Sequence, residues 1–417
     1  MAEFVIRNRA ATAWQIQDVG YGLLWLCFAV GFFVMVEPAP FDLAILALGG
    51  LSLAMGLRLP GSLAPLIVLC TVILLCGLVA LTQTKDLADS SMHLIITCYL
   101  MVITFIVAGA VYTNPDRGLK AVLGGHAAAA VVSAALGIIG YFDLIAGTHE
   151  LFTEYWRAKG AFKDPNVFGP FLIVGGIYLM YLVLTKPFLK GLVWLALLLV
   201  IALGLFLSFS RGAWGHFIAS SLICVLLMVT TSRDRSFNLR IIFISICAVI
   251  AIALAIVVAL NLPSVSEMLS LRAGLNQSYD SGGRGRFAGQ ALAFQWILAA
   301  PLGYGQDDFG YFWGEQPHNV YLYMFLQTGW LGGAAYIALV IGSVVGIFRM
   351  VFATTPWRGY AIVLASTFTP LVIEGLIVDT DHWRHFWMLL GMIWGLIAWH
   401  RDWNVSAIRR ANGFSRQ

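Results

Sequence analysis

The sequence predicts an all-α, polytopic membrane protein with about 12 transmembrane helices and one larger outward-facing loop containing short helices. Three observations predict it. Hydrophobic residues make up 60% of the 417 residues and charged residues only 11%, whereas a soluble domain carries about a quarter charged residues. Apolar runs of spanning length recur along nearly the whole chain. One long polar, glycine-rich stretch, about 261–320, interrupts them.

The runs cover, in order, residues 19–36, 41–57, 64–81, 93–112, 119–142, 167–185, 190–208, 212–230, 240–260, 321–348, 360–378 and 384–400. They read as a single integral membrane domain over 1–417, with the loop region 261–320 inside it and no convincing internal repeat. The first residues, MAEFVIRNRAATAWQIQDVG, are polar and basic and lead straight into a full span. That reads as a cytoplasmic tail, not a cleaved leader. All six cysteines (Cys27, Cys70, Cys76, Cys98, Cys224, Cys247) fall inside apolar runs. They behave there as small hydrophobes and imply neither a disulfide nor a metal. The net charge of +4 gives no indication of a nucleic-acid partner.

With the N-terminus placed in the cytoplasm and sides alternated, 16 of the 25 Lys and Arg residues fall on the cytoplasmic segments and 9 on the outward ones. The larger set lies in short loops and tails, where basic residues set orientation. Both termini are then cytoplasmic, and the 261–320 stretch faces outward. Outward basic residues are the anomaly to explain. Arg211 sits in a very short turn between LGLFLSFS and GAWGHF, held at the outer interface. Snorkelling accounts for it without a function. Arg284 and Arg286 flank Gly285 in the glycine-rich loop, where a guanidinium near lipid needs an anionic partner. RFAGQALAFQWILAA, ending before Pro301, has the spacing of an amphipathic helix at the membrane surface. The aromatics of LGYGQDDFGYFWGEQ suit an interfacial belt or sugar stacking.

Pro317, His318 and Asn319 precede the tenth span. Proline fits the first turn of a helix and aims His318 and Asn319 at the outer face. After nine intervening residues, Asn319 is followed by Gly329, Trp330, Leu331 and Gly332, whose glycines permit close approach of a neighbouring helix. Arginine charges nearby would keep the imidazole neutral, able to accept a proton from an alcohol. An interfacial histidine with no chemical role is the plainer reading. Further along, Asp379, Asp381, His382, Arg384 and His385 cluster as DTDHWRH. An ion-paired turn is favoured there over a metal site built on His382 and His385. Glu374, inside the eleventh span, is functional by default as an intramembrane carboxylate, with a structural partner such as His382 or Arg384, about two turns away, as the alternative reading. His93, His126 and His216 read as structural.

The pattern H-N, nine residues, G, two residues, G resembles the motif of bacterial O-antigen ligases and their polymerase relatives. Three more pieces agree. Ser208–Trp214 is similar to the family's S-R-G-A segment. Residues 160–166, GAFKDPN, are similar to its G-x-F-x-x-P-N segment. Gly283–Arg286, followed by a helix and Pro301-Leu302-Gly303-Tyr304-Gly305, is similar to its G-R-x-x-x-W…P-L-G-x-G stretch. Phe287 and its neighbours depart from the family's tryptophan, so Arg284 and Arg286 both stand as the family's arginine.

The resemblance implies a membrane glycosyltransferase of the bacterial inner membrane with its active site on the periplasmic side. Its donor would be a glycan on undecaprenyl diphosphate, within membrane lipid. Its acceptor would be a lipid A-core sugar in a ligase, or another lipid-linked glycan in a polymerase; ligase is the preferred reading. His318 would act as base, with Arg211 and Arg284 or Arg286 on the diphosphate, in an inverting displacement that needs no metal or other cofactor. Asp164, Asn166, Asn319 and His382 are candidates for substrate binding, and Asp164 or Asn166 equally for orienting an arginine. A lipid-linked glycan transporter is the rival of another class. The crowding of polar groups on one face and the lack of paired broken spans count against it.

Overall fold

The computed structural model of the chain describes residues 18–54, 59–261, 263–273, 285–306 and 308–411. These residues are almost entirely helical: α1 (Asp18–Phe32), α2 (Pro40–Ala54), α3 (Ala64–Ala80), α4 (Leu87–Thr113), α5 (Pro115–Tyr141), α6 (Thr148–Phe152), α7 (Pro165–Thr185), α8 (Phe188–Leu207), α9 (Arg211–Thr231), α10 (Arg235–Ala259), α11 (Pro263–Ala273), α12 (Arg286–Ala299), α13 (Asp308–Trp313), α14 (Val320–Phe352), α15 (Arg358–Glu374) and α16 (Arg384–Ala411). Every predicted apolar run coincides with a helix. Eight helices among the described residues are long and apolar enough to cross a membrane. Helices α1 and α2 are apolar but shorter than a span. Among the described residues of 261–320, the expected short helices are α11, α12 and α13.

The contacts divide the chain into two compact units. The first takes in Met1–Arg58 and Ala110–Ser210. Its centre is α5, whose small residues admit neighbouring backbones. A Cβ at Gly175 of α7 would lie 2.8 Å from the Ala130 methyl, and one at Gly204 of α8 2.8 Å from that of Ala134. Without a hydrophobic drive between helices in lipid, such close packing is what holds spans together. The 143–166 segment folds over the end of this unit as α6 and a two-residue hairpin, β1 (Thr153–Glu154) with β2 (Arg157–Ala158). Its tip residues, Tyr155 and Trp156, both take positive φ (50° and 59°), as a tight two-residue hairpin turn requires.

The second unit takes in Leu59–Gly109 and Arg211–Gln417. Here α14 is the axis. It packs on α3, where a Cβ at Gly332 would lie 2.9 Å from Cys76 Cβ. Helix α16 packs on α4, with Gly391 against Val107 and the Thr104 hydroxyl donating to the Trp387 carbonyl at 2.8 Å. The buried Trp394 indole donates to the Ser343 hydroxyl of α14 at 2.9 Å. Helix α10 instead exposes Leu239, Phe243, Val249 and Leu254, the surface of a helix whose backbone is satisfied internally and whose side chains suit lipid.

Candidate functional site

Helix α14 is broken at its tenth residue. Gly329 has φ 69° and ψ −171°, a conformation open to glycine. Through the break passes the chain segment after α12. The Trp330 N–H donates to the Pro301 carbonyl (3.0 Å), and the Tyr304 N–H to that of Leu326 (2.7 Å). The Trp330 indole donates to the Ile297 carbonyl at 2.7 Å. A Cβ at Gly329 would come within 2.4 Å of the Pro301 oxygen. Gly303 and Gly305 supply the positive φ that folds the segment back. The neighbour admitted by Gly329 is therefore this loop, not the helix expected from the sequence; Gly332 does admit a helix, α3. The lock ties α12, and Arg286 at its first residue, to the N-terminal half of α14. Ala293 and Ile297 of α12 share a buried cluster with Leu326 and Phe309.

The loop before α14 carries His318. Asn319 is the N-cap, its Oδ1 accepting from the N–H groups of Tyr321 (3.1 Å) and Leu322 (3.2 Å). Pro317 therefore lies outside the helix and not in its first turn. His318 takes φ 50°, uncommon for a side chain of its size. The Asp379 carboxyl holds it there, receiving the backbone N–H groups of both His318 and Asn319. The His318 ring is partly exposed. Its Nδ1 stands 3.6 Å from Asp379 Oδ2, and its Nε2 3.5 Å from Glu315 Oε2. The ring thus has a carboxylate near each nitrogen. Arg286 acts electrostatically on Asp379. Burial pushes the Asp379 carboxyl up to about 7, assisted by the Asp381 carboxylate and opposed by the two N–H groups and Arg286. Gln290 of α12 ties the arrangement together, donating to the carbonyls of His318 (3.3 Å) and Leu376 (3.2 Å).

Arg211 opens α9. Beside it, Gly212 lies against Glu374, whose Oε1 would be 2.9 Å from a Cβ there. Glu374 ends α15, and the next carbonyl, of Gly375, accepts the Val320 N–H at 2.8 Å. The Tyr321 hydroxyl donates to the Val372 carbonyl at 2.7 Å. The end of α15 thus joins the start of α9 to the start of α14, and Arg211, Arg286 and His318 fall on elements that meet. Glu374 pairs with neither His382 nor Arg384, as predicted, but with buried His216, Nδ1 to Oε2 at 2.7 Å. His216 is not a solitary structural residue. Arg284 lies outside the described residues.

His382 precedes α16. Its ring stacks on that of His93, centroids 3.7 Å apart, and its Nε2 lies 3.1 Å from the Thr97 hydroxyl. Asp381 Oδ2 lies 3.3 Å from His93 Nε2 and 3.9 Å from His382 Nε2. Burial acts to raise the Asp381 carboxyl, but His382 and His93 outweigh it and hold it below the usual carboxylate range. His93, Asp381 and His382 are close enough for their ligating atoms to share an ion. The nearly parallel rings, 24° apart, direct their lone pairs side by side, a poor start for two in-plane bonds to one metal. His385 takes no part in this group and packs its ring on Trp383. Of the other histidines read as structural, His126 bonds the Phe171 carbonyl at 2.9 Å.

In the first unit, Asp164 is the N-cap of α7, accepting the Asn166 N–H at 2.7 Å. Asn166 turns its Oδ1 to Arg157 Nη2 at 2.7 Å. Arg157 is buried, and its Nε donates to the Ser208 carbonyl at 2.7 Å. The sequence reading passed over Arg157; its one signal was a basic residue on the acidic side of the chain.

Residues 195–337 match a family model described as O-Antigen ligase. Over that segment the chain is similar to the O-antigen ligase and polymerase superfamily. No curated protein matches it. The match supports a membrane glycosyltransferase of the ligase or polymerase type. The matched span takes in three of the superfamily-like pieces, with Arg211, Arg286 and His318. Asp379 and Glu374 lie beyond it.

Proposed function

We propose that the protein moves a glycan from undecaprenyl diphosphate to an acceptor sugar hydroxyl at the periplasmic face of the bacterial inner membrane. The observation that carries this reading is the His318–Asp379–Arg286 arrangement, on elements that also meet the start of α9. With Nδ1–H directed at Asp379, His318 keeps a lone pair on Nε2, the nitrogen on the Glu315 side of a partly exposed ring. Nε2 takes the proton of the acceptor hydroxyl as its oxygen attacks the anomeric carbon. The bond from that carbon to the diphosphate oxygen breaks, and the electron pair leaves with the diphosphate. The carbon is inverted. The 3.6 Å separation of Nδ1 and Asp379 is long for a hydrogen bond, as is common before substrate is bound.

Arg211 and Arg286 meet the diphosphate, where guanidinium forks match phosphate oxygens and oppose the growing charge. Arg284 stands beside Arg286 in the sequence as the other candidate. Asn319 spends its carbonyl oxygen on capping α14, which leaves its amide for a sugar. Asp164 and Asn166 act through the backbone of α7 and through Arg157. His382 sits at the edge of the cluster, where an acceptor sugar would pass.

The family's description, O-Antigen ligase, supports lipid A-core as acceptor. A transfer assay with purified protein and undecaprenyl diphosphate-linked glycan tests it. A single adduct on lipid A-core is expected. A ladder of longer lipid-linked glycans without lipid A-core would instead make the protein a polymerase. No product with either acceptor would overturn the assignment.

A further inference from the structure

Glu374 and His216 form a buried pair with no part in the chemistry above. Their side chains are 4% and 1% exposed, so neither touches a donor. The protons can be placed. His216 Nε2 lies 3.1 Å from the Thr367 carbonyl, which only accepts, so Nε2 carries a hydrogen. The 2.7 Å contact of Nδ1 with Glu374 Oε2 then holds one shared proton. The pair is neutral overall however that proton is divided, which is how a carboxyl survives burial. The ring fixes one carboxyl oxygen. The other, Oε1, fills the space left open by the missing Cβ of Gly212. Helix α9 can start where it does only because glycine stands there and the carboxyl is held back by the histidine. The same residue, Glu374, precedes the carbonyl that anchors Val320, two residues from His318.

We propose that the His216–Glu374 pair is a positioning device that registers the first turn of α9, and with it Arg211, against the His318 loop. This rests on the assignment of Arg211 to the diphosphate. Glu374 is the spacer: anchored by His216 on one side, it meets α9 at Gly212 on another and leads into the α14 anchor at Gly375.

The test is a double-mutant cycle on the full-length chain in lipid nanodiscs, with glycan-free undecaprenyl diphosphate as the probe. Glu374→Leu and Gly212→Ala are each expected to weaken binding on the order of tenfold, the cost of a misplaced positioning group. Glu374→Gln, which keeps the shape and can donate to Nδ1, is expected to stay near wild type. In an Arg211→Ala background none of the three should weaken binding further, because coupled residues are not additive. Equal losses in both backgrounds would mean that the pair only stabilises the fold, and would overturn the proposal. So would unchanged binding in Gly212→Ala or Glu374→Leu alone. If Glu374→Leu does not fold, Gly212→Ala completes the cycle. An Arg211→Ala chain that binds like wild type would remove the diphosphate assignment itself, a separate failure.

Discussion

Asp379 grips His318 by the backbone and faces it by the ring: its carboxyl receives the His318 and Asn319 N–H groups, and its Oδ2 lies 3.6 Å from Nδ1. One side chain therefore fixes both the strained φ of 50° and the direction of the imidazole. The loop would otherwise have little reason to hold a histidine in the left-handed region.

This grip predicts a pH dependence. The Asp379 carboxyl is pushed up to about 7, above the value of about 3.9 expected in an unfolded chain. The native state holds this proton more tightly than the unfolded state. Its contribution to stability is therefore complete below about pH 4 and is lost as pH rises to about 7. Thermal unfolding midpoints should fall across that window in wild type and fall less in Asp379→Asn. A slope unchanged by the substitution would contradict the raised value.

The broken helix predicts a severe glycine effect. Gly329→Ala places a methyl within 2.4 Å of the Pro301 oxygen at φ 69°. At φ 69° and ψ −171° the backbone lies in a region essentially confined to glycine, which costs about 1–3 kcal/mol for another residue, and the collision adds to it. The unfolding midpoint should drop clearly, while Gly342→Ala in the same helix, 3.8 Å from its nearest neighbour, should change little. Equal effects would mean that the loop lock is not a tight fit.

Arg157 predicts a stability loss in the first unit. Arg157→Met removes two hydrogen bonds from a buried guanidinium, to Ser208 and Asn166. Hydrogen bonds to charged groups contribute roughly 1.5–3 kcal/mol each, so the destabilisation should be several kcal/mol. Arg157→Lys should recover only part, because an ammonium cannot reproduce the planar fork. A midpoint within a degree of wild type would show that the bonds contribute nothing net.

The apolar runs were legible because a span declares itself by length alone, and all of them became helices. Three of the four motif pieces fall within the segment that the family model matches. What could not be read was which groups meet. Gly329 as a break and Gly332 as a packing site look alike in a sequence, and only a positive φ separates them. Glu374 and His216 lie 158 residues apart, so no local pattern joins them. The arginines drew attention because charge beside lipid is conspicuous, and this biased the view of His318 toward cations. Asp379 was noticed only as one of a cluster, although it sets the histidine's backbone. Arg157 was hidden because a solvated lysine or arginine and a buried one share the same letter.

The account centres on His318 as the base that accepts the hydroxyl proton. The most direct measurement is the transfer rate of purified His318→Ala from undecaprenyl diphosphate-linked glycan, beside its affinity for undecaprenyl diphosphate. The rate should fall by about 10²–10⁴-fold, as loss of a general base does, with affinity nearly unchanged. A rate equal to wild type would contradict the account.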